Sequence, residues 1–324
     1  MITVKKLIVM TNNLIASKFF LLFVGLFLYG QSAQSQTRLI GERSVYTQYF
    51  LSPYLLNPGA AGQQEYSQVM ANYRNTWASF PGSPRTATIA YDGAIGNRIG
   101  LGLIGVSDNF AALGTTKAGV NLSYTIETPT NKLGVGIGAE YIRHKLRGEE
   151  LINPLVNTGD PEIVRRLEST AYFDATFGVY GIYNKKIIYG VAFPSVISQR
   201  VSGAEGSGAD TDFSYIVNLG YRAEVPEYDL VFEPSIYVKK LMLVPLHVDV
   251  NLKADFLSEK LTTGITYSKG AEDRVGFLVG TQVNNFGFHY SYNMSLHEFQ
   301  QYNNGSHEIS VRLRIQGYNR DNNN

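Results

Sequence analysis

The chain has 324 residues, with 32 Gly, 22 Tyr, 17 Phe, no Cys, 17% charged residues and a formal net charge of +1. Against a usual charged share of about 25% and a Gly share of about 7%, it is charge-poor, Gly-rich and Tyr-rich, which argues against a disordered chain and leaves no electrostatic footprint for nucleic acid. Without cysteine there is no thiolate nucleophile, no Cys-ligated zinc or iron–sulfur centre and no disulfide.

Lys5, Lys6 and Lys18 precede an apolar run from Phe19 to Tyr29. The run is about 11 residues long, where a spanning helix needs roughly 20. Ala33-Gln34-Ser35 then fits a small-residue cleavage site. Residues 1–35 are expected to be a secretory signal peptide starting at Met1 or Met10. Residues 36–65 follow as a turn-rich, apolar lead-in: Pro53 and Pro58 each restrict the residue before them, and Gly59 and Gly62 admit positive φ.

From Tyr66 onward the dominant period is two. Fourteen candidate strands lie near 66–74, 85–92, 98–107, 115–127, 132–143, 171–183, 186–193, 213–224, 229–238, 245–256, 261–267, 274–283, 286–293 and 307–316. Leu246, Val248, Val250, Leu252, Ala254 and Phe256 alternate with His247, Asp249, Asn251, Lys253 and Asp255. On the last strand Ile309, Val311, Leu313 and Ile315 alternate with Glu308, Ser310, Arg312 and Arg314. Successive side chains point to opposite faces, so each strand has one apolar and one polar side. Connections after even-numbered strands are tight: Gly93 to Asn97, Thr128 to Asn131, Asn184-Lys185, Val225 to Tyr228, Leu257 to Lys260 and Asn284-Asn285. Those after odd-numbered strands are mostly longer: Asn75 to Pro84, His144 to Thr170, Pro194 to Asp212 and Met294 to Ser306. Ser202 to Asp212 is a flexible loop by composition, and Asp160-Pro161-Glu162 is a helix start signal.

An even strand number, strands of about 10 residues and alternating short and long connections are the pattern of an outer-membrane barrel. Turned the other way, fourteen strands' worth of Leu, Val and Phe would face an interior too wide for one core. With the polar face inside and the apolar face toward lipid, no sheet edge is left open. The abundant Tyr suits interfacial girdles. The expected fold is therefore an all-β, transmembrane antiparallel β-barrel of about 14 strands over residues 66–318, followed by a polar tail at 319–324.

Within that frame, residues 36–65 either pack into the periplasmic mouth as a plug or only cap the first strand. His247, Asp249, Lys253, Asp255, Glu308, Arg312 and Arg314 are expected to face the lumen as a solvated or salt-bridged network. Trp77, the only Trp, lies in an outer loop with Phe80, Pro84 and Arg85, close to Arg74. Large aromatics and Arg are enriched at interface hot spots, so these five residues are a candidate partner surface, with Trp77 also suited to anchoring at the membrane interface. His289, Ser291 and Asn293 share one face and raise an acyl-hydrolase reading. Residues i and i+2 on a strand are about 7 Å apart, too far for the hydrogen bond that activates a nucleophile. No catalytic motif appears, so no enzyme activity, cofactor or metal is expected.

Three stretches carry a family resemblance. Residues 46–62 place Gln48-Tyr49, Pro53, Asn57-Pro58 and Ala61-Gly62 in order; Arg74, Trp77, Gly82, Pro84 and Thr86 follow; Ser306-His307-Glu308-Ile309-Ser310 precedes the closing strand. This set resembles the PorP/SprF family of the Bacteroidetes type IX secretion system. Gly59-Ala60 departs from the family's usual Ala and aromatic, and the polar tail departs from the aromatic ending of many outer-membrane barrels. The resemblance implies an outer-membrane accessory protein that binds or anchors a cognate secreted, adhesin-like surface protein through that partner's C-terminal domain. It also implies other type IX secretion components and outer-membrane lipid as partners, and a link to gliding motility. The alternative is a channel or transporter for small or hydrophobic solutes with an N-terminal hatch.

Overall fold

The computed structural model describes residues 47–111, 113–146, 170–202, 214–241, 244–270 and 273–316. The expected signal peptide, the expected helix start at Asp160, most of the Ser202–Asp212 loop and the polar tail lie outside the described residues. Fifteen strand segments run in chain order: β1 Tyr66–Asn75, β2 Arg85–Ala94, β3 Ile99–Phe110, β4 Leu113–Glu127, β5 Asn131–Leu146, β6 Thr170–Tyr183, β7 Ile187–Ser202, β8 Tyr215–Tyr221, β9 Ala223–Val225, β10 Leu230–Lys240, β11 His247–Phe256, β12 Leu261–Lys269, β13 Arg274–Val283, β14 Phe286–Ser295 and β15 Ser306–Gln316.

β8 and β9 are one stave. β10 pairs Ser235 with Gly220 and Phe232 with Ala223, so no residue is inserted between the two pieces. The gap falls beside Pro234, which has no N–H to give to a ladder. The fourteen resulting staves are antiparallel to their neighbours, and pairing of β1 with β15, from Tyr66↔Gln316 to Asn75↔His307, closes the sheet into a barrel. The three-residue connection between β6 and β7 turns on Asn184 (φ 49°) and Lys185 (φ 57°), with the Lys186 N–H donating to the Tyr183 carbonyl at 3.0 Å; positive φ at both central residues of a turn matches strand twist.

The faces are inverted relative to a water-soluble barrel. On β4, Val120, Leu122, Tyr124 and Ile126 are exposed while Asn121, Ser123 and Thr125 are buried. Across the barrel Ile89 and Ile137 stand 62% exposed, whereas Asp249 and Glu308 are 1% and 0% exposed. Apolar atoms outside and hydrogen-bonding groups inside are stable only if the surrounding solvent is lipid.

One connection differs from expectation. Pro194 was expected to open a loop, yet β7 continues through it to Ser202. β6 pairs Phe177 with Phe193 but Ala175 with Ile197, so β7 carries two extra residues at this point. The bulge places Ser195 at φ 55° and lets its hydroxyl donate to Asp174 at 2.6 Å. A bulge is where a strand tolerates proline. β4, β5 and β7, with 15, 16 and 16 residues, give the wall on that side greater height than β11 and β12, with 10 and 9.

Candidate functional site

The stretch from Thr47 to Gln63 lies inside the barrel. It folds as three single 3-10 turns, Tyr49–Leu51, Pro53–Leu55 and Pro58–Ala60, with Pro53 and Pro58 opening the second and third. Their fixed φ favours a turn start, where a missing N–H costs nothing. Asn57 accepts from the Gly59 N–H at 2.9 Å and donates to the carbonyls of Val179 (2.9 Å) and Val191 (3.2 Å). Gly59 allows close approach: a Cβ there would stand 2.7 Å from the Gly134 carbonyl and 2.9 Å from that of Gly178. Gly62 sits at φ 67°, and its N–H donates to Asp92 at 2.6 Å.

These bonds fasten the segment to opposite walls. On one side Tyr54 donates to the Leu103 carbonyl (3.0 Å), Ser123 to Ala61 (2.5 Å), Lys132 to Gln63 (2.7 Å) and Gln63 to Tyr180 (3.1 Å). On the other, the Tyr49 hydroxyl donates to Asp249 (2.7 Å), Gln48 donates to Ser291 (2.9 Å), and the Thr47 N–H and hydroxyl both donate to Glu308. Arg312 donates to the Leu51 carbonyl at 3.3 Å. Residues 57–63 lie toward the tight-turn end of the barrel, while Thr47 to Tyr49 reach strand ends that border the longer connections. Tyr49 and Tyr54 are 1% and 2% exposed.

The lumen charges separate into small groups. Asp249 lies 2.5 Å from Lys239 Nζ, 2.9 Å from His247 Nε2 and 4.0 Å from Arg274, and Lys239 Nζ also sits 4.7 Å from the centre of the Tyr49 ring. A buried carboxylate persists only with such partners. Lys253 bridges Glu233 (3.5 Å) and Asp255 (3.4 Å), Arg314 pairs with Glu259 at 3.0 Å, and Glu308 accepts from Asn72 at 2.9 Å. His289 faces Arg312 at 3.3 Å, while the Ser291 hydroxyl accepts from Gln48. These two share a wall but are each engaged elsewhere.

At the long-loop end an aromatic group forms. Trp77 packs edge-on against Phe299 (5.2 Å) and Phe110 (6.2 Å), and Phe80 against Phe299 (5.2 Å). Its loops are joined by backbone bonds from Ala78 N to Gly305 O (2.7 Å), Asn304 N to Ala78 O (2.8 Å) and Ala111 N to Gly82 O (2.9 Å). Trp77 has φ 54°, a costly conformation for a bulky residue that the surrounding loops must enforce. Trp77 and Phe80 thus come together, while Arg74 is buried on β1, Pro84 is buried and Arg85 is exposed at the start of β2. Phe110 and Phe299 complete the group; isolated Phe residues at a strand end and in a loop carry no local signal.

A family model described as "Type IX secretion system membrane protein PorP/SprF" matches residues 40–313. No curated protein matches the chain. Among solved structures, the toluene transporter TodX of P. putida is 10% identical, covers 82% of this chain and 94% of its own, and superposes with a TM-score of 0.48. The Ralstonia pickettii toluene transporter TbuX is 8% identical, with 82% and 93% covered and a TM-score of 0.46. Omp33 of Acinetobacter baumannii is 9% identical, with 79% and 99% covered and a TM-score of 0.44.

Proposed function

Because the chain belongs to the PorP/SprF family of type IX secretion system membrane proteins, and is an outer-membrane β-barrel, we propose that it binds or anchors a cognate secreted surface protein at its long-loop end. The family match over residues 40–313 carries this reading. A second observation supports anchoring over conduction: Thr47 to Gln63 bridge opposite walls of the lumen through buried hydrogen bonds and the part-buried bond from Asn57 to the Val179 carbonyl. The Trp77, Phe80 and Phe299 group supplies aromatic residues of the kind that dominate binding energy at interfaces. In this reading the barrel holds the rim loops in place against lipid, and the partner and other secretion components meet it there; no catalytic step is assigned to it.

Detergent purification of the full chain from secreting cells, followed by mass spectrometry, tests the proposal. A large secreted protein is expected in stoichiometric amount. A monomer without such a partner that conducts ions across a planar bilayer would instead establish a channel.

A further inference from the structure

The segment inside the lumen is held in two different ways. Residues 57–63 fit against backbone: a Cβ on Gly100 would meet the Ala61 carbonyl, one on Gly134 the Gly59 carbonyl and one on Gly136 the Pro58 carbonyl. Glycine in the wall allows so close an approach, and the two backbones meet with no side chain between them. Thr47 to Leu51 instead meet polar side chains. Thr47 donates its N–H and hydroxyl to Glu308, Gln48 donates to the Ser291 hydroxyl and the Glu308 carbonyl, Tyr49 donates to Asp249, and the Leu51 carbonyl accepts from Arg312. On this wall a Cβ on Gly276, Gly280 or Gly287 would first meet the wall's own Asn293, His289 or Gln282. The two parts join at Ser52, extended at φ −150° between separate turns.

Glu308 and Arg312 are 0% and 5% exposed. Buried charges require hydrogen bonds, and water entering the lumen would supply the ones that Thr47 and Leu51 now make. Water has no such substitute for the backbone fit of residues 57–63. The first part is therefore the one that can leave its seat at low cost.

That seat is also the root of the rim. Ser306 and Glu308 are successive inward residues of β15, and the Ser306 hydroxyl accepts from the Trp77 N–H at 3.2 Å. Asn72 donates to both Glu308 (2.9 Å) and Ser310 (2.8 Å). Rim and arm thus bind different atoms of the same few residues. Each orders the start of β15 for the other without competing for it, which is the condition for positive coupling.

We infer that Thr47 to Leu51 form a latch that swings at Ser52 while residues 57–63 stay seated, and that partner binding at the Trp77 group and closure of the latch favour one another. The inference rests on the secreted-partner reading above. It adds that the lumen beside β11 to β15 is closed more firmly in the loaded barrel than in the empty one.

Amide hydrogen exchange on the full chain, alone and in the purified complex with its secreted protein, tests it. In the isolated chain the amides of Thr47 to Ser52 are expected to exchange at least about tenfold faster than those of Ala60 to Gln63, and in the complex to slow by about tenfold. Both Glu308 oxygens accept hydrogen bonds, so Glu308→Gln turns an amide N–H toward a donor. It is expected to speed exchange in Thr47 to Ser52, leave Ala60 to Gln63 unchanged and lower partner recovery at least about threefold. Gln48→Ala, which alters no wall residue, is expected to act in the same direction. Equal protection of the two parts in the isolated chain overturns the latch. Unchanged exchange in a complex that still contains the partner, or full partner recovery by variants whose Thr47 to Ser52 amides exchange faster, overturns the coupling and leaves the anchoring function standing. Failure to recover any secreted protein removes the anchoring function and the coupling with it.

Discussion

The hydroxyl of Tyr49 donates to the carboxylate of Asp249 at 2.7 Å, joining two residues 200 positions apart inside the lumen. Asp249 is held at the same time by Lys239 and His247, so one buried carboxylate ties the N-terminal segment to β10 and β11. Tyr49→Phe removes that bond and leaves the ion pairs in place. Hydrogen bonds to charged groups contribute about 1.5–3 kcal/mol, and a loss of stability in that range is expected on thermal unfolding in detergent. Lys239→Met is expected to cost more, about 3–5 kcal/mol, because it removes the closest cation from a buried anion.

Gly59→Ala tests whether the segment is seated against the wall. The added Cβ would meet backbone oxygens of β5 and β6 at 2.7 and 2.9 Å, and backbone has little room to give. The segment is expected to shift, so that protease cleaves between Thr47 and Gly62 in the variant and spares the same stretch in the parent barrel. Rapid cutting of the parent there would show that the segment does not reside in the lumen.

The direction of the faces is tested by charge. Ile137 is 62% exposed on β5, and Ile137→Arg places a cation in the hydrocarbon near mid-strand. A loss of about 2–4 kcal/mol in bilayer refolding equilibria is expected. A change under about 1 kcal/mol would place this face outside the membrane.

At the rim, Phe80→Ala and Trp77→Ala each remove part of the aromatic group around Phe299. If the group is a hot spot, loss of at least about 2 kcal/mol of binding leaves roughly thirtyfold less secreted partner in quantitative co-purification. Barrel content by circular dichroism should be unchanged. Full recovery of the partner with both variants would assign the group to loop packing or membrane anchoring alone.

The strands were legible because their signal is local. Leu246 to Phe256 alternate without exception, and the structure puts Asp249, Asn251 and Asp255 inside and Leu252 outside as that pattern requires. Pro194 misled because proline usually ends a strand; the bulge that absorbs it depends on β6, which no reading of β7 alone includes. Of the rim residues, Trp77 and Phe80 were identifiable by type, but Arg74 turned inward and Phe110 and Phe299 joined from distant loops.

By itself the sequence determined the strand number, the two faces and hence the closed barrel in lipid, because a period of two is written residue by residue and closure follows from leaving no polar edge in hydrocarbon. The tertiary structure alone decided where Thr47 to Gln63 run and which charge meets which. The bond from Thr47 to Glu308 spans 261 positions, and no local period encodes a pairing that exists only once the barrel has closed around it.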